Sequence, residues 1–138
     1  MRAAAEQADP GTSDSNSRSL RILLADDNLD AAASLSMLLE IEGHEVQTVA
    51  NGAQAVERFE KFKPDVILMD VGMPVMDGIE AARRIRDSKL GASVPIVALT
   101  GWGQEADRER TRDAGMNHHL VKPVSAEDLR TVLASLRI

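Results

Sequence analysis

A chain of 138 residues suits one domain of ordinary size, and its 43% hydrophobic content can fill a core that is almost wholly aliphatic, since the aromatics are Phe59, Phe62 and Trp102. A net charge of −6 without a cluster of Lys and Arg argues against a nucleic-acid surface, and the absence of cysteine removes disulfides, thiolate metal sites and thiol catalysis. No apolar run approaches the ~18–20 residues of a membrane helix, and the N-terminus lacks a signal-peptide core, so a soluble, cytoplasmic domain with no membrane partner is expected.

Residues 1–18, MRAAAEQADPGTSDSNSR, are small and polar and bury too little surface to offset the entropy of ordering. They read as a flexible tail or linker ahead of a folded unit spanning 19–138. From Leu20 the texture changes. LRILLA (20–25) is a strand-like run that ends on Asp26-Asp27. Leu29 to Ile41 shows helical spacing through Leu35, Leu38 and Leu39, with Gly43 as a stop. EVQTVA (45–50) alternates as a strand. Asn51-Gly52 opens a helix through Phe62 with Ala55, Phe59 and Phe62 on one face, and Lys63-Pro64 ends it. DVILMD (65–70) is a buried strand that delivers a carboxylate, Asp70, to its tip before Gly72, Met73 and Pro74 break the chain. A helix follows at about 78–88 through Ile79, Ala82 and Ile85. VPIVALT (94–100) is a further buried strand, a polar helix spans about 104–114, NHHLVK (117–122) is a fifth strand, and the last helix covers about 125–136 with Ser125 as its cap.

The order is strand–helix five times. Continuous apolar strands alternating with helices imply a parallel sheet covered on both faces, with its site outside the carboxyl ends of the strands. The polar residues at those ends are Asp26, Asp27, Asp70, Thr100 and Lys122. Each has an ordinary structural use as a cap, a turn residue or a solvated lysine. Their coincidence at one edge does not. Clustered carboxylates repel unless a cation joins them, and an oxygen-rich, sulfur-free set suits Mg²⁺. Such a metal beside a carboxylate can hold a phosphoryl group while that carboxylate attacks phosphorus, with a lysine and a hydroxyl binding the remaining oxygens. The product would be an aspartyl phosphate.

The runs LLADDN, DVILMDVGMPVMDG, VALTG and HLVKPV closely resemble the receiver domain of two-component response regulators over about residues 20–138. The resemblance implies an α/β, flavodoxin-like doubly wound fold with strand order 2-1-3-4-5. It implies a phosphorelay function in which Asp70 accepts a phosphoryl group from a histidine kinase or histidine phosphotransfer domain. It places Asp27, Asp70 and the carbonyl of Gly72 as direct Mg²⁺ ligands, with Asp26 acting through water. Thr100 matches the switch hydroxyl and Lys122 the phosphate-binding lysine, and a cis bond is implied between Lys122 and Pro123. Such a module is a signalling component and not a conventional enzyme. The terminal position and the polar tail suggest fusion downstream of a hybrid histidine kinase.

Three features depart from the family pattern or vary within it. His119 stands where the family usually carries Tyr or Phe as the aromatic half of its switch, and His118 precedes it. A metal site from this pair is disfavoured because adjacent strand residues face opposite ways. Gly72 and Trp102 border the expected phosphoryl position; the indole is large enough to shield one side from water. The helix at 104–114 has Ala106 and Ala114 as almost its only apolar residues, so it is expected to be weakly held. The rival of a different class is an aspartate-nucleophile, Mg²⁺-dependent phosphatase of the haloacid-dehalogenase type. That chemistry wants a second Asp two residues after the nucleophile, where this chain has Gly72. A flavodoxin would want a Ser/Thr/Gly-rich phosphate loop after the first strand, where this chain has acids.

Overall fold

The computed structural model describes residues 19–101 and 108–136. Strands β1 (Arg21–Ala25), β2 (Glu45–Val49), β3 (Val66–Asp70), β4 (Ile96–Thr100) and β5 (His118–Val121) alternate with helices α1 (Leu29–Ile41), α2 (Gly52–Phe62), α3 (Gly78–Asp87), α4 (Arg108–Asp113) and α5 (Ala126–Ser135). Every pairing is parallel and the sheet runs β2-β1-β3-β4-β5, which is the order 2-1-3-4-5 that the motifs implied.

Side chains alternate across the sheet, so each buried strand feeds two cores. Ile22, Leu24, Leu68 and Leu99 meet Leu35 and Leu39 of α1 and Leu129 of α5 on one face. Leu23, Ile67, Met69 and Ile96 meet Phe59 and Phe62 of α2 and Ile79 and Ile85 of α3 on the other. The central strands β3 and β4 are buried along their whole length, which is why they read as unbroken apolar runs. The edge strands β2 and β5 are only partly covered and carry Glu, Gln, Thr and His.

Helix starts follow local chemistry. Asn28, Asn51, Asp77 and Ser125 each cap a helix by accepting a backbone N–H three residues on. The polar fourth helix differs from expectation in how it is held. Thr111 faces the core, its hydroxyl satisfied by the carbonyl of Arg108 at 2.9 Å, and Ala114 is buried just beyond the helix. At that end the Arg86 guanidinium donates to the carbonyl of Gly115 from Nε at 2.9 Å and from Nη2 at 2.7 Å, to the Gly91 carbonyl at 2.7 Å and to Asn117 Oδ1 at 2.8 Å. A polar clamp therefore supplements the small apolar contact. Trp102 and the expected helical residues 104–107 lie outside the described residues.

The chain passes from β1 to β2 on one side, then crosses to β3 on the other. This reversal sits between β1 and β3, and the crevice it opens lies at their carboxyl ends. Asp26 and Asp70 flank it.

Candidate functional site

The register of β1 on β3, with Ala25 opposite Met69, sets the next residues, Asp26 and Asp70, side by side at the rim. Asp26 is held by its own N–H, which donates to the Val49 carbonyl at 3.0 Å, and by its Oδ1, which accepts the Asn28 N–H at 3.0 Å. Asp70 Oδ1 accepts the Gly72 N–H at 3.2 Å. Asp26 is 2% exposed and Asp70 7%, while Asp27 beside them is exposed. One oxygen from each of the three carboxylates lies within 4.8 Å of the others.

Lys122 closes the pocket. Its N–H donates to the Thr100 carbonyl at 2.6 Å, extending the β4–β5 pairing, and the Lys122–Pro123 bond is cis, as the motif implied. Its ammonium sits 3.0 Å from Asp26 Oδ2 and 3.0 Å from Asp70 Oδ2. The buried Thr100 hydroxyl lies 3.5 Å from the Leu120 carbonyl, at the outer limit of a hydrogen bond. Residues from three separate strand ends thus converge with Asp27. His119 is half-buried in β5, opposite Ala98, and His118 is half-buried too, so burial does not separate the two.

The electrostatics follow from packing. Burial pushes the Asp70 carboxyl up to about 6; the Lys122 hydrogen bond and charge work against that, and neighbouring Asp26 adds to it. Burial alone would lower the Lys122 ammonium, but hydrogen bonds and attraction from Asp26 and Asp70 outweigh it and raise its pKa. Three clustered acids share the rim with one ammonium, which pairs with Asp26 and Asp70, so the pocket is short of positive charge. Its donors are hard carboxylate oxygens with the spacing to share a single ion. That set fits Mg²⁺ and offers nothing to a soft metal. The bridging of Asp26 by Lys122 was not legible in the sequence, because it depends on how far each side chain reaches across two strands.

The fold and pocket together define a doubly wound α/β protein with a charged site at its β1/β3 switch point. The chain matches the model of the response regulator receiver domain over residues 22–134 and belongs to that family. Among curated relatives it is 44% identical over 110 residues to the transcriptional regulatory protein PdtaR of Mycobacterium tuberculosis, covering 79% of this chain and 52% of PdtaR. The chain thus spans about half the length of that relative. Among solved structures it resembles the receiver domain of the sensor histidine kinase PA1611 from Pseudomonas aeruginosa, which holds a magnesium ion in its active site cleft. That pair is 40% identical with a TM-score of 0.79, over 86% of this chain and 97% of the other. It also resembles a chain of the Saccharomyces cerevisiae complex between the histidine phosphotransfer protein Ypd1 and the receiver domain of Ssk1, at 30% identity and a TM-score of 0.76, over 83% of this chain and 86% of that one. Among the described residues no helix is long and apolar enough to cross a membrane.

Proposed function

We propose that this domain accepts a phosphoryl group on Asp70 from the phosphohistidine of a histidine kinase or histidine phosphotransfer protein. The observation that carries the reading is the partly covered Lys122 ammonium, 3.0 Å from both Asp26 and Asp70 at the carboxyl ends of three strands. An ammonium in that place keeps Asp70 ionised at neutral pH despite its burial, and an ionised carboxylate is the nucleophile the reaction needs.

In the reaction, one Asp70 oxygen forms a bond to phosphorus as the phosphorus–nitrogen bond breaks, and the bonding pair leaves on the imidazole nitrogen. The Gly72 N–H fixes Oδ1 of Asp70, which limits rotation of the carboxylate. Once Asp70 carries the phosphoryl group as an acyl phosphate, Lys122 is released from it and its ammonium can bind a phosphoryl oxygen, and the Thr100 hydroxyl supplies a second donor. Asp27, Asp70 and the Gly72 carbonyl would hold Mg²⁺, with Asp26 beside them, as the donor set allows. When bound, the metal supplies charge to neutralise the phosphoryl oxygens. His119, on the strand that carries Lys122, is the residue proposed to respond to Thr100 as the switch partner. The magnesium-bearing PA1611 receiver and the Ypd1–Ssk1 complex support metal and partner by similarity. Residues 19–138 are proposed as the receiver, and the likeness to the receiver of a sensor histidine kinase supports a receiver joined to such a kinase; a net charge of −6 without a basic cluster supports the reading that it makes no nucleic-acid contact of its own.

The test is labelling with acetyl phosphate and Mg²⁺. Mass spectrometry should place one phosphoryl group on Asp70, and Asp70→Asn should remove it. Equal labelling of the Asn variant would end the reading.

A further inference from the structure

The loop that joins β3 to α3, residues 71–77, touches the acceptor directly through Gly72. It is closed at its base by the Gly78 N–H, which donates to the Val71 carbonyl at 3.0 Å. Its crest is turned tightly: the Met76 N–H donates to the Pro74 carbonyl at 2.7 Å, and Val75 between them has φ 68 and is 84% exposed. A β-branched residue resists that left-handed conformation. A loop with this internal strain keeps its shape only if the surrounding structure imposes it.

Two abutments impose it, and both are glycines. The Gly52 N–H, at the first residue of α2, donates to the Met76 carbonyl at 2.8 Å. A Cβ at position 52 would stand 2.3 Å from that same oxygen and 2.9 Å from the Asp77 carbonyl oxygen. A Cβ at position 78 would stand 2.1 Å from the carbonyl oxygen of Asp70 itself. Backbone cannot yield like the end of a flexible side chain, so either methyl must displace the loop or the strand tip. The α2 start is otherwise satisfied locally, since Asn51 Oδ1 takes the Gln54 N–H and Gln54 Oε1 takes the Ala50 N–H. Its contact with the loop is therefore an addition to what the helix needs.

We infer that Gly52 and Gly78 are positioning residues for phosphoryl transfer to Asp70, acting through the backbone of the loop that carries Gly72. The inference rests on the reading of Asp70 as the acceptor. It adds that α2, which contributes no group to the pocket, sets the pocket's geometry through Met76. Displacements on the order of 1 Å at a reacting centre can cost about a hundredfold in rate.

The experiment compares Gly52→Ala, Gly78→Ala and Gly91→Ala. Gly91 is the control: a Cβ there would meet the Ile85 carbonyl oxygen at 1.9 Å, an equally hard clash beyond the far end of α3. Acetyl phosphate labelling of Asp70 is measured per folded molecule, with the fraction folded taken from denaturation curves, alongside Mg²⁺ affinity by titration. Gly52→Ala and Gly78→Ala should label about ten- to a hundredfold more slowly and bind Mg²⁺ more weakly, while Gly91→Ala retains both per folded molecule. Losses no greater than those of Gly91→Ala would overturn the positioning role. Absence of labelling in the unmodified protein would instead remove the acceptor reading and the inference with it. If the variants fail to fold, amide NMR of the unmodified protein decides. Adding beryllofluoride with Mg²⁺ should shift the Gly52 amide, bound to the loop, while the Gln54 amide, bound within α2, stays. Equal or negligible shifts at both would overturn the inference.

Discussion

Replacing Asp70 with asparagine should make the metal-free protein more stable, and the size of the gain should depend on pH. The carboxyl is 7% exposed and its pKa stands at about 6, against an ordinary value of 3.8. At 1.36 kcal/mol per pKa unit, ionised Asp70 sets about 3 kcal/mol against the fold at neutral pH. The sign follows from proton binding. The native state holds the proton more tightly than the unfolded chain, so Asp70 favours the fold fully below pH 3.8 and loses that advantage as pH rises through 6. Asparagine keeps the shape, can still accept the Gly72 N–H, and leaves Lys122 paired with Asp26. Allowing for relaxation around Lys122, Asp70→Asn should gain about 1–3 kcal/mol at pH 7.5, equivalent to several degrees in Tm for a domain of this size. By pH 4.5 about two thirds of the gain should be gone, because native Asp70 is by then protonated. Urea denaturation in EDTA at the two pH values measures both numbers. An asparagine variant no more stable than the parent at pH 7.5, or a gain that acid does not diminish, would show that burial of Asp70 does not oppose the fold.

Three further outcomes follow from the same geometry. Lys122→Met should destabilise the metal-free protein at neutral pH by roughly 1–3 kcal/mol, less than for a fully dry pair because the lysine side chain is 28% exposed; Mg²⁺ should raise its Tm more than it raises the parent's, and an equal response would place the metal elsewhere. Arg86→Met keeps the stem but removes the donors to Gly91, Gly115 and Asn117, so it should cost about 1–3 kcal/mol in urea denaturation; a neutral result would show that water replaces the clamp. His44 takes the Leu20 N–H on Nδ1 at 3.1 Å, and burial, partly offset by Glu42, lowers its pKa. The neutral ring is the one the fold needs, so its contribution is present above the unfolded value of 6.5 and lost as pH falls through the lowered native value. His44→Asn should flatten that part of the stability–pH curve, and an unchanged slope would contradict the assignment.

Element order and the residues that matter at the strand ends were legible in the amino-acid pattern alone. Strands such as VILMD and IVALT are uniformly apolar because both faces of a central parallel strand are covered, and that pattern survives without any knowledge of neighbours. The cap at Ser125 and the helix start at Asn51 were legible because each is a contact within four residues; Asn28 and Asp77 cap in the same local way but were not read as caps. The features that the pattern did not reveal depend on long-range contacts. Asp26 and Asp27 are adjacent and chemically alike, yet one is 2% exposed and the other open to solvent, because the first continues the β1 pairing through the Val49 carbonyl and the second does not. Arg86, polar by composition, grips the turn after α4 through Gly115 and Asn117, partners that local periodicity does not reveal. Gly52 looks like an ordinary helix start in sequence. Its lack of a side chain matters because β1 lies between β2 and β3 in the sheet, which brings the start of α2 against a loop more than twenty residues further along the chain.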